Sequence, residues 1–394
     1  MHLTPAFQIL LLALLAAFGW SATLQVLAWA GIDARPVLQL AQLPASTADA
    51  GRSGDGLGQG VARLAAALAL ISVAGWLLCA GAPTPGTQTG LALLTYVAIV
   101  AALAQPRRGL CRAVRMQFGG LLVRVVKPSL SDPVYLADVI MADILTSCSR
   151  MFGDVALVVC QFGALFWHSS ASTSAGVAGV LLASAPYAFR LRQCMNEYLK
   201  APPGGTDAKR HMANALKYAS SFPVIALAAL PPQVAAAAEH SGRASHAVVG
   251  LWVAASAFNS LYSFYWDVAF DWDLGHMASG WKLADLIAPA EHAVDRSARV
   301  AMQGDAAARD QLLPPPPQRH SFPAFLRPRL CLAWHGVYYV IIATDLLLRM
   351  AWTLRLSVVA DIDSMPYGGM WLSALELYRR WQWSILRIEK EAAA

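Results

Sequence analysis

The sequence predicts an all-α, polytopic transmembrane helical bundle of about nine spans, and three observations predict it. Of 394 residues 57% are hydrophobic and only 14% charged, where a soluble domain carries roughly 25% charge, and the mean hydropathy is +0.47. Apolar runs near or above the ~20 residues that cross a ~30 Å hydrocarbon core recur along the chain between turn signals. Basic residues crowd every second connection. An ordinary soluble enzyme is excluded on composition. The net charge of +6 and pI near 9.1 would suit nucleic acid, but surplus Lys and Arg in a membrane chain collect in cytosolic loops, so no nucleic-acid partner is expected.

The spans fall near 6–31, 61–82, 88–104, 134–167, 175–198, 211–237, 246–269, 330–359 and 367–390. In the first, Phe7 to Phe18 followed by Ala28-Trp29-Ala30 also has the form of a signal-peptide core and cleavage site, which would leave eight spans. The apolar stretch outruns a normal signal core and favours a retained helix. The connection 33–60, with Gly51, Gly54, Gly56, Gly58 and Gly60, reads as a flexible linker. The third span is short and ends at Gln105-Pro106; the fourth is long enough to extend beyond the bilayer.

Arg107, Arg108, Arg112, Arg115, Arg124 and Lys127 mark the next connection as cytosolic. Arg190, Arg192, Lys200, Lys209 and Arg210 do so around the fifth-to-sixth connection, and Lys282, Arg296, Arg299, Arg309, Arg319, Arg327 and Arg329 in the 272–329 loop. The connections around 168–174 and 360–366 hold no Lys or Arg, and 238–245 only Arg243. The basic loops and the C-terminus are therefore expected in the cytosol. Within the long loop, 300–323 with Pro314 to Pro317 reads as disordered. Two regions result: N-terminal helices with linker and basic segment over 1–132, and a transmembrane domain over 133–394 carrying a disordered cytosolic loop at about 273–329.

Cys79, Cys111, Cys148, Cys160, Cys194 and Cys331 form no CxxC pair, and the nine histidines are scattered. Neither a metal site nor a disulfide framework is expected, and no cofactor is called for.

Function is sought in the charges inside the spans, because an ionisable group there costs roughly 2.5–3.5 kcal/mol on insertion scales and faces a bundle interior or a water-filled path. Asp143, Ser147, Arg150 and Asp154 follow i, i+4, i+7, i+11 as one polar stripe, with Asp138 before it. Lys217 precedes Pro223, a break that makes a hydrated helix entrance. Asp267 and Asp271 share a face and repel unless a cation or proton lies between them. Asp345 and Arg349 pair at i, i+4 with Trp352 one turn on; Glu376 reaches Arg379 and Arg380, with Arg387 and Glu389 beyond. Converging on one pathway, Lys217, Arg349, Arg379 and Arg380 are the groups that replace water around an oxyanion. Taken singly, each ion pair reads equally as a packing bridge.

The stretches Leu136-Ala-Asp138-Val-Ile-Met-Ala142-Asp143-Ile-Leu-Thr-Ser147, Phe189-Arg190 through Gln193-Cys194 to Tyr198, and His211-Met-Ala-Asn214-Ala-Leu-Lys217-Tyr218 come in this order. Tyr262-Ser-Phe-Tyr265-Trp266-Asp267-Val-Ala-Phe-Asp271-Trp272, Tyr338-Tyr339 through Asp345 and Arg349 to Trp352-Thr353, and Glu376-Leu-Tyr378-Arg379-Arg380 with Arg387 and Glu389 follow. Together they resemble the EXS-domain family of membrane proteins. That family includes phosphate exporters of the xenotropic and polytropic retrovirus receptor type and a short Golgi branch, without an SPX domain, typified by the yeast ER-retention-defective protein.

The resemblance implies a phosphate path lined or gated by Asp143, Lys217, Tyr218, Asp267, Asp271, Arg349, Trp352, Arg379 and Arg380. The four cations would hold phosphate, the three aspartates would position them, and Trp352 and Tyr218 would form an aromatic constriction. No long SPX domain is expected ahead of the first span, and in this the chain resembles the Golgi branch, which implies phosphate return from the Golgi lumen to the cytosol; the plasma membrane is the alternative. Inorganic phosphate, the bilayer, a second copy of the chain and Golgi glycosyltransferases are the partners so implied.

Two other readings are weighed. An intramembrane enzyme lacks HExxH, GxSxG and a Walker loop, since Trp281 separates Gly280 from Lys282; no enzyme is expected. A Golgi receptor that retains and recycles glycosyltransferases without transport would use the basic loops.

Overall fold

The computed structural model describes residues 3–40, 55–105, 111–127, 129–163, 172–230, 242–276, 283, 325–356 and 365–393, and every extended element among them is helical. α1 (Pro5–Trp29) is apolar around its whole circumference; Phe7, Leu10, Leu24 and Leu27 are buried while Leu11, Phe18 and Trp29 stay exposed. Asp33 accepts from the Arg35 N–H at 3.0 Å and starts the single turn α2 (Ala34–Val37).

α3 (Asp55–Ala80) begins six residues earlier than the sequence predicts and takes in Gly56, Gly58 and Gly60. The correction has a packing cause. A Cβ on Gly58 would stand 3.3–3.5 Å from Gln25, Leu24 and the Ser21 carbonyl, and the Ser21 hydroxyl donates to the Gly58 carbonyl at 2.8 Å. Gly58 lets α3 lie close against α1, and Gly60 brings it against Val114, instead of making a linker; residues 41–54 of the expected linker lie outside the described residues.

α4 (Pro85–Ala104) opens on a capping box of Thr84 and Thr87. Its C-terminal carbonyls at Ala102, Leu103 and Gln105 accept from the buried Arg115 guanidinium of α5 (Arg112–Val126) at 3.2, 3.0 and 2.6 Å. Arg115, expected as a loop charge, thus serves as a helix cap.

Among the described residues five helical stretches are long and apolar enough to cross a membrane: Pro5–Trp29, Gly56–Ala80, Pro85–Ala104, Ala247–Asp271 and Gly336–Leu356. The other four predicted spans are interrupted or charged. The expected fourth is α6 (Leu136–Ser147) and α7 (Ser149–Gly163), separated at Cys148. There the Thr146 hydroxyl takes the Asp143 carbonyl at 2.7 Å and competes with the backbone ladder. α8 (Ser172–Lys200) is continuous and packs against α7 through Gly153 and Gly179. The expected sixth is α9 (Thr206–Ala219) and α10 (Ser221–Ala229). Pro223 has no N–H for the Ala219 carbonyl, which is the reason for the break at Ser220.

α11 (Gly242–Trp266) passes into a π turn over Asp267–Asp271, closed by the Trp272 N–H on the Asp267 carbonyl at 2.9 Å. α12 (Gly336–Arg349) tightens into a 3-10 turn over Ala351–Leu356, and α13 (Gly368–Ala393) closes the bundle. Residues 284–324, the predicted disordered loop among them, lie outside the described residues.

Two apolar clusters stack along α1. One gathers Phe7, Leu10, Ala92, Cys148, Met151 and Leu377; the other gathers Leu24, Leu27, Ile140, Trp272, Tyr338, Trp383 and Leu386. On α13 the buried pair Arg379-Arg380 falls between Leu377 of the first and Trp383 of the second, and on α6 Asp143 falls between Ile140 and Cys148. The charges therefore form a layer between two greasy ones. Gly19 holds α1 against α13, since a Cβ there would overlap the Trp381 ring at 1.7 Å.

Candidate functional site: a cationic cavity at the helix breaks

A cavity of about 320 Å³ opens in the polar layer, lined by side chains of α6, α8, α9, α10, α11, α12 and α13. Lys217, Arg349, Arg355, Arg379 and Arg380 face it, against the carboxylates of Asp267 and Glu376. The volume suits an oxyanion with several waters, at about 30 Å³ of liquid volume for each water. Three breaks converge on it: Ser221 follows the α9–α10 interruption, Asp267 opens the π turn, and Ala351 and Trp352 lie in the 3-10 turn. Interrupted helices of this kind free backbone groups and side chains at bilayer depth, where transporters place their substrates.

Asp267, 1% exposed, is the electrostatic hub. It is ion-paired with Arg349, with Arg379 at 3.6 Å and with Lys217 at 3.9 Å. Lys217 reaches on to Asp271 at 3.6 Å, so its ammonium lies between the two carboxylates of the π turn. Asp345 joins Arg349 at 2.9 Å to Arg379 at 3.0 Å. Glu376 takes Arg379 in a fork of 2.6 and 2.8 Å and accepts the Ser147 hydroxyl at 2.7 Å.

Arg380 differs from its neighbours. It is 7% exposed, its Nε donates to Ser147 Oγ at 2.9 Å, one Nη donates to Thr146 Oγ1 at 3.4 Å, and its guanidinium lies 4.7 Å over the Trp383 ring. Among the described residues no carboxylate pairs with it. A buried guanidinium held only by hydroxyls and a ring keeps its charge available to an anion.

Of the residues expected at the site, Lys217, Tyr218, Asp267, Arg349, Trp352, Arg379 and Arg380 line this cavity together. Asp143 and Asp271 stand behind it. Asp143 accepts Arg190 at 2.9 Å and the Tyr218 hydroxyl at 2.7 Å, and touches none of the four expected cations. Asp271 lies beyond Lys217, accepting the Trp383 indole at 3.2 Å with Arg387 at 3.8 Å.

The expected stripe on the fourth span ends at Ser147. The turn at Cys148 leaves Arg150 exposed, 3.9 Å from Asp154 and resting on Gly369. Glu376 pairs directly with Arg379, whereas Arg380 reaches it only through Ser147, which accepts from Arg380 at 2.9 Å and donates to Glu376 at 2.7 Å. Arg190, read as a loop charge, is 3% exposed and lies 4.7 Å over the Tyr218 ring. Arg327, read likewise, is buried against Glu389, which also accepts the Tyr338 hydroxyl and the Cys331 N–H at 2.6 Å.

The α11 lining escaped the sequence reading. Trp252, Ser256, Asn259, Ser260 and Ser263 form one polar face leading to Asp267, whose recurrence every three to four residues is legible; small hydroxyls among apolar residues carry little signal without a charge. Asn259 staples this face to the α9–α10 break through Ser220 at 2.8 Å and Ser221 at 3.0 Å, and Ser260 joins the Trp352 indole to the Arg349 carbonyl, both at 3.1 Å.

Comparison with known proteins adds a separate line. The chain matches the EXS family over residues 3–393. It is 28% identical over 296 residues to protein ERD1 homolog 1 of Schizosaccharomyces pombe, covering 71% of this chain and 63% of that relative. It is 26% identical over 317 residues to the xenotropic and polytropic retrovirus receptor 1 homolog of Xenopus laevis, covering 76% and 38%. It is 24% identical over 279 residues to solute carrier family 53 member 1 of Homo sapiens, covering 66% and 33%. The chain spans less than two thirds of the length of each of these relatives.

Proposed function

The chain belongs to the EXS family of membrane proteins, and from that premise we propose that it conducts inorganic phosphate across a membrane without covalent chemistry. The observation that carries the reading is Arg380, a buried cation on the cavity wall with hydroxyl partners and no carboxylate among the described residues. In this reading Arg380 and the outward-facing edges of Arg349, Arg379 and Lys217 replace the hydration of the ion. Asp267, Asp345 and Glu376 hold those cations in place and offset enough of their field for the ion to leave. Asp143 acts one layer back, orienting Tyr218 and Arg190. Trp352, tied to Ser260, narrows the cavity.

The helices from α6 onward carry the path, and α1 to α5 brace it and meet lipid or a second copy of the chain. Exposed Leu70, Val73, Leu77, Leu94, Val97 and Val100 on α3 and α4 support that lipid-facing or dimer-facing role. Likeness to the ERD1 homolog supports the Golgi membrane as the location, where such a conductor would return phosphate from the lumen to the cytosol.

Phosphate flux into proteoliposomes containing purified protein tests the proposal. Saturable flux that Arg380→Ala abolishes is expected. No flux from folded, inserted protein would overturn it and shift the weight to a non-transporting Golgi receptor for glycosyltransferases.

A further inference from the structure

The cavity extends well beyond its arginines. Trp252 and Asp267, both on its wall, are separated on α11 by about 22 Å at 1.5 Å of rise per residue. At the Trp252 end two polar side-chain atoms are buried without a partner, the Trp252 Nε1 and the Ser256 Oγ. They are one helical turn apart on the same face.

Ser256, like Thr23, differs from most of the described helical hydroxyls. Ser72, Thr95, Ser184, Ser373 and Ser384 each donate to the carbonyl four residues back, at 2.8–3.0 Å. Ser256 is 3% exposed and makes no such bond, although the Trp252 carbonyl is available in the same register. Trp252 is likewise set apart from Trp352. Their rings meet edge to face at 5.6 Å, and Trp352 spends its N–H on Ser260 while Trp252 keeps its own. Other buried donors without a hydrogen-bond partner, at Thr23, Arg192 and Arg387, lie off this wall; two adjacent ones on the cavity wall point to a ligand that accepts hydrogen bonds.

We propose that Trp252 and Ser256 form an outer, uncharged subsite that takes the oxygens of an oxyanion by two hydrogen bonds before the ion reaches the arginine cluster. The subsite rests on the transport reading for its place in a sequence of steps. An indole N–H donates and cannot accept, so it selects a ligand that presents unprotonated oxygens. Neutral donors hold an anion more weakly than guanidinium groups do, and a weak site beside a strong one is what passage through a pore requires.

Two variants and one chemical probe test it. Trp252→Phe keeps the ring and removes the donor; Ser256→Ala removes the hydroxyl. Each should raise the half-saturating concentration of inorganic phosphate about fivefold, the loss of roughly one neutral hydrogen bond. The rise should appear with phosphate on one side of the membrane only, with maximal flux unchanged. In Ser256→Cys, phosphate should slow modification by a small methanethiosulfonate reagent at least severalfold, also in an Arg380→Ala background that carries no flux. Saturable wild-type flux with both variants within twofold of wild type, and no protection of Ser256→Cys, would overturn the subsite while leaving the transport reading intact. Protection without any wild-type flux would support the subsite and remove transport.

Discussion

Arg379 and Arg380 are adjacent in sequence and both buried, yet their truncation should have opposite consequences. Arg380→Ala removes donors to Ser147 and Thr146, but neither hydroxyl is orphaned. Ser147 still donates to Glu376 at 2.7 Å and Thr146 to the Asp143 carbonyl at 2.7 Å. What is lost from the fold is the contact over Trp383, worth about 1–2 kcal/mol when desolvated. What is lost to an anion is larger. A guanidinium 4 Å from a unit charge contributes roughly 4 kcal/mol at an effective dielectric near 20, and a charge-assisted hydrogen bond nets about 1.5–3 kcal/mol. Half-saturation should therefore rise roughly ten- to hundredfold, and flux at ordinary phosphate concentrations should vanish.

Arg379→Ala instead leaves Asp345, Glu376 and the edge of Asp267 without the guanidinium that bridges them at 2.6–3.6 Å. Asp345 and Asp267 keep Arg349, but removing one partner from a buried charge network costs up to about 3–5 kcal/mol, so this variant should lose folded protein before it loses affinity. Thermal unfolding in detergent and phosphate flux in proteoliposomes, run on both variants, separate the two effects. Arg380→Ala melting as low as Arg379→Ala, or retaining half-saturation within threefold of wild type, would refute the assignment of Arg380 as the cation left for the ion.

Other substitutions follow from the same contacts. Asp143→Asn should destabilise by about 3–5 kcal/mol by orphaning buried Arg190, and a double-mutant cycle with Arg190→Gln should return a coupling above 1 kcal/mol by thermal unfolding; additivity would refute the pair. Glu389→Gln removes the charge that anchors Arg327, Tyr338 and the Cys331 backbone, so limited proteolysis should cut faster near 325–335, and an unchanged rate would contradict that anchoring. Gly19→Leu drives a side chain into Trp381 and should cost at least 1–3 kcal/mol, read as a lower unfolding temperature, whereas Gly90→Ala, with open space at its Cβ, should leave it unchanged.

The polar layer was legible wherever its partners are local. Asp345–Arg349 and Glu376–Arg379 follow from helical spacing alone, because three and four residues bring side chains onto one face. The cation between Asp267 and Asp271 was inferable as a kind, since two carboxylates on one face repel, but not as Lys217, fifty residues or more away in sequence. The stripe on the fourth span was misread because a 3.6-residue period assumes an unbroken helix, and Thr146 and Cys148 end it. Arg115, Arg190 and Arg327 were misread as loop charges because a basic residue near a span end looks the same whether it meets water or a buried partner.

Composition and periodicity by themselves determined that this chain is a membrane helical bundle and that its later helices bring charge into the bilayer, since hydration cost and helical pitch are local properties of a segment. Only the tertiary structure decided which charges neutralise one another. Asp143 with Arg190, Asp267 with Arg349 and Arg327 with Glu389 are 47, 82 and 62 residues apart. An ion pair forms by distance in space, and what distinguishes Arg380 from Arg379 is the helix each one turns toward.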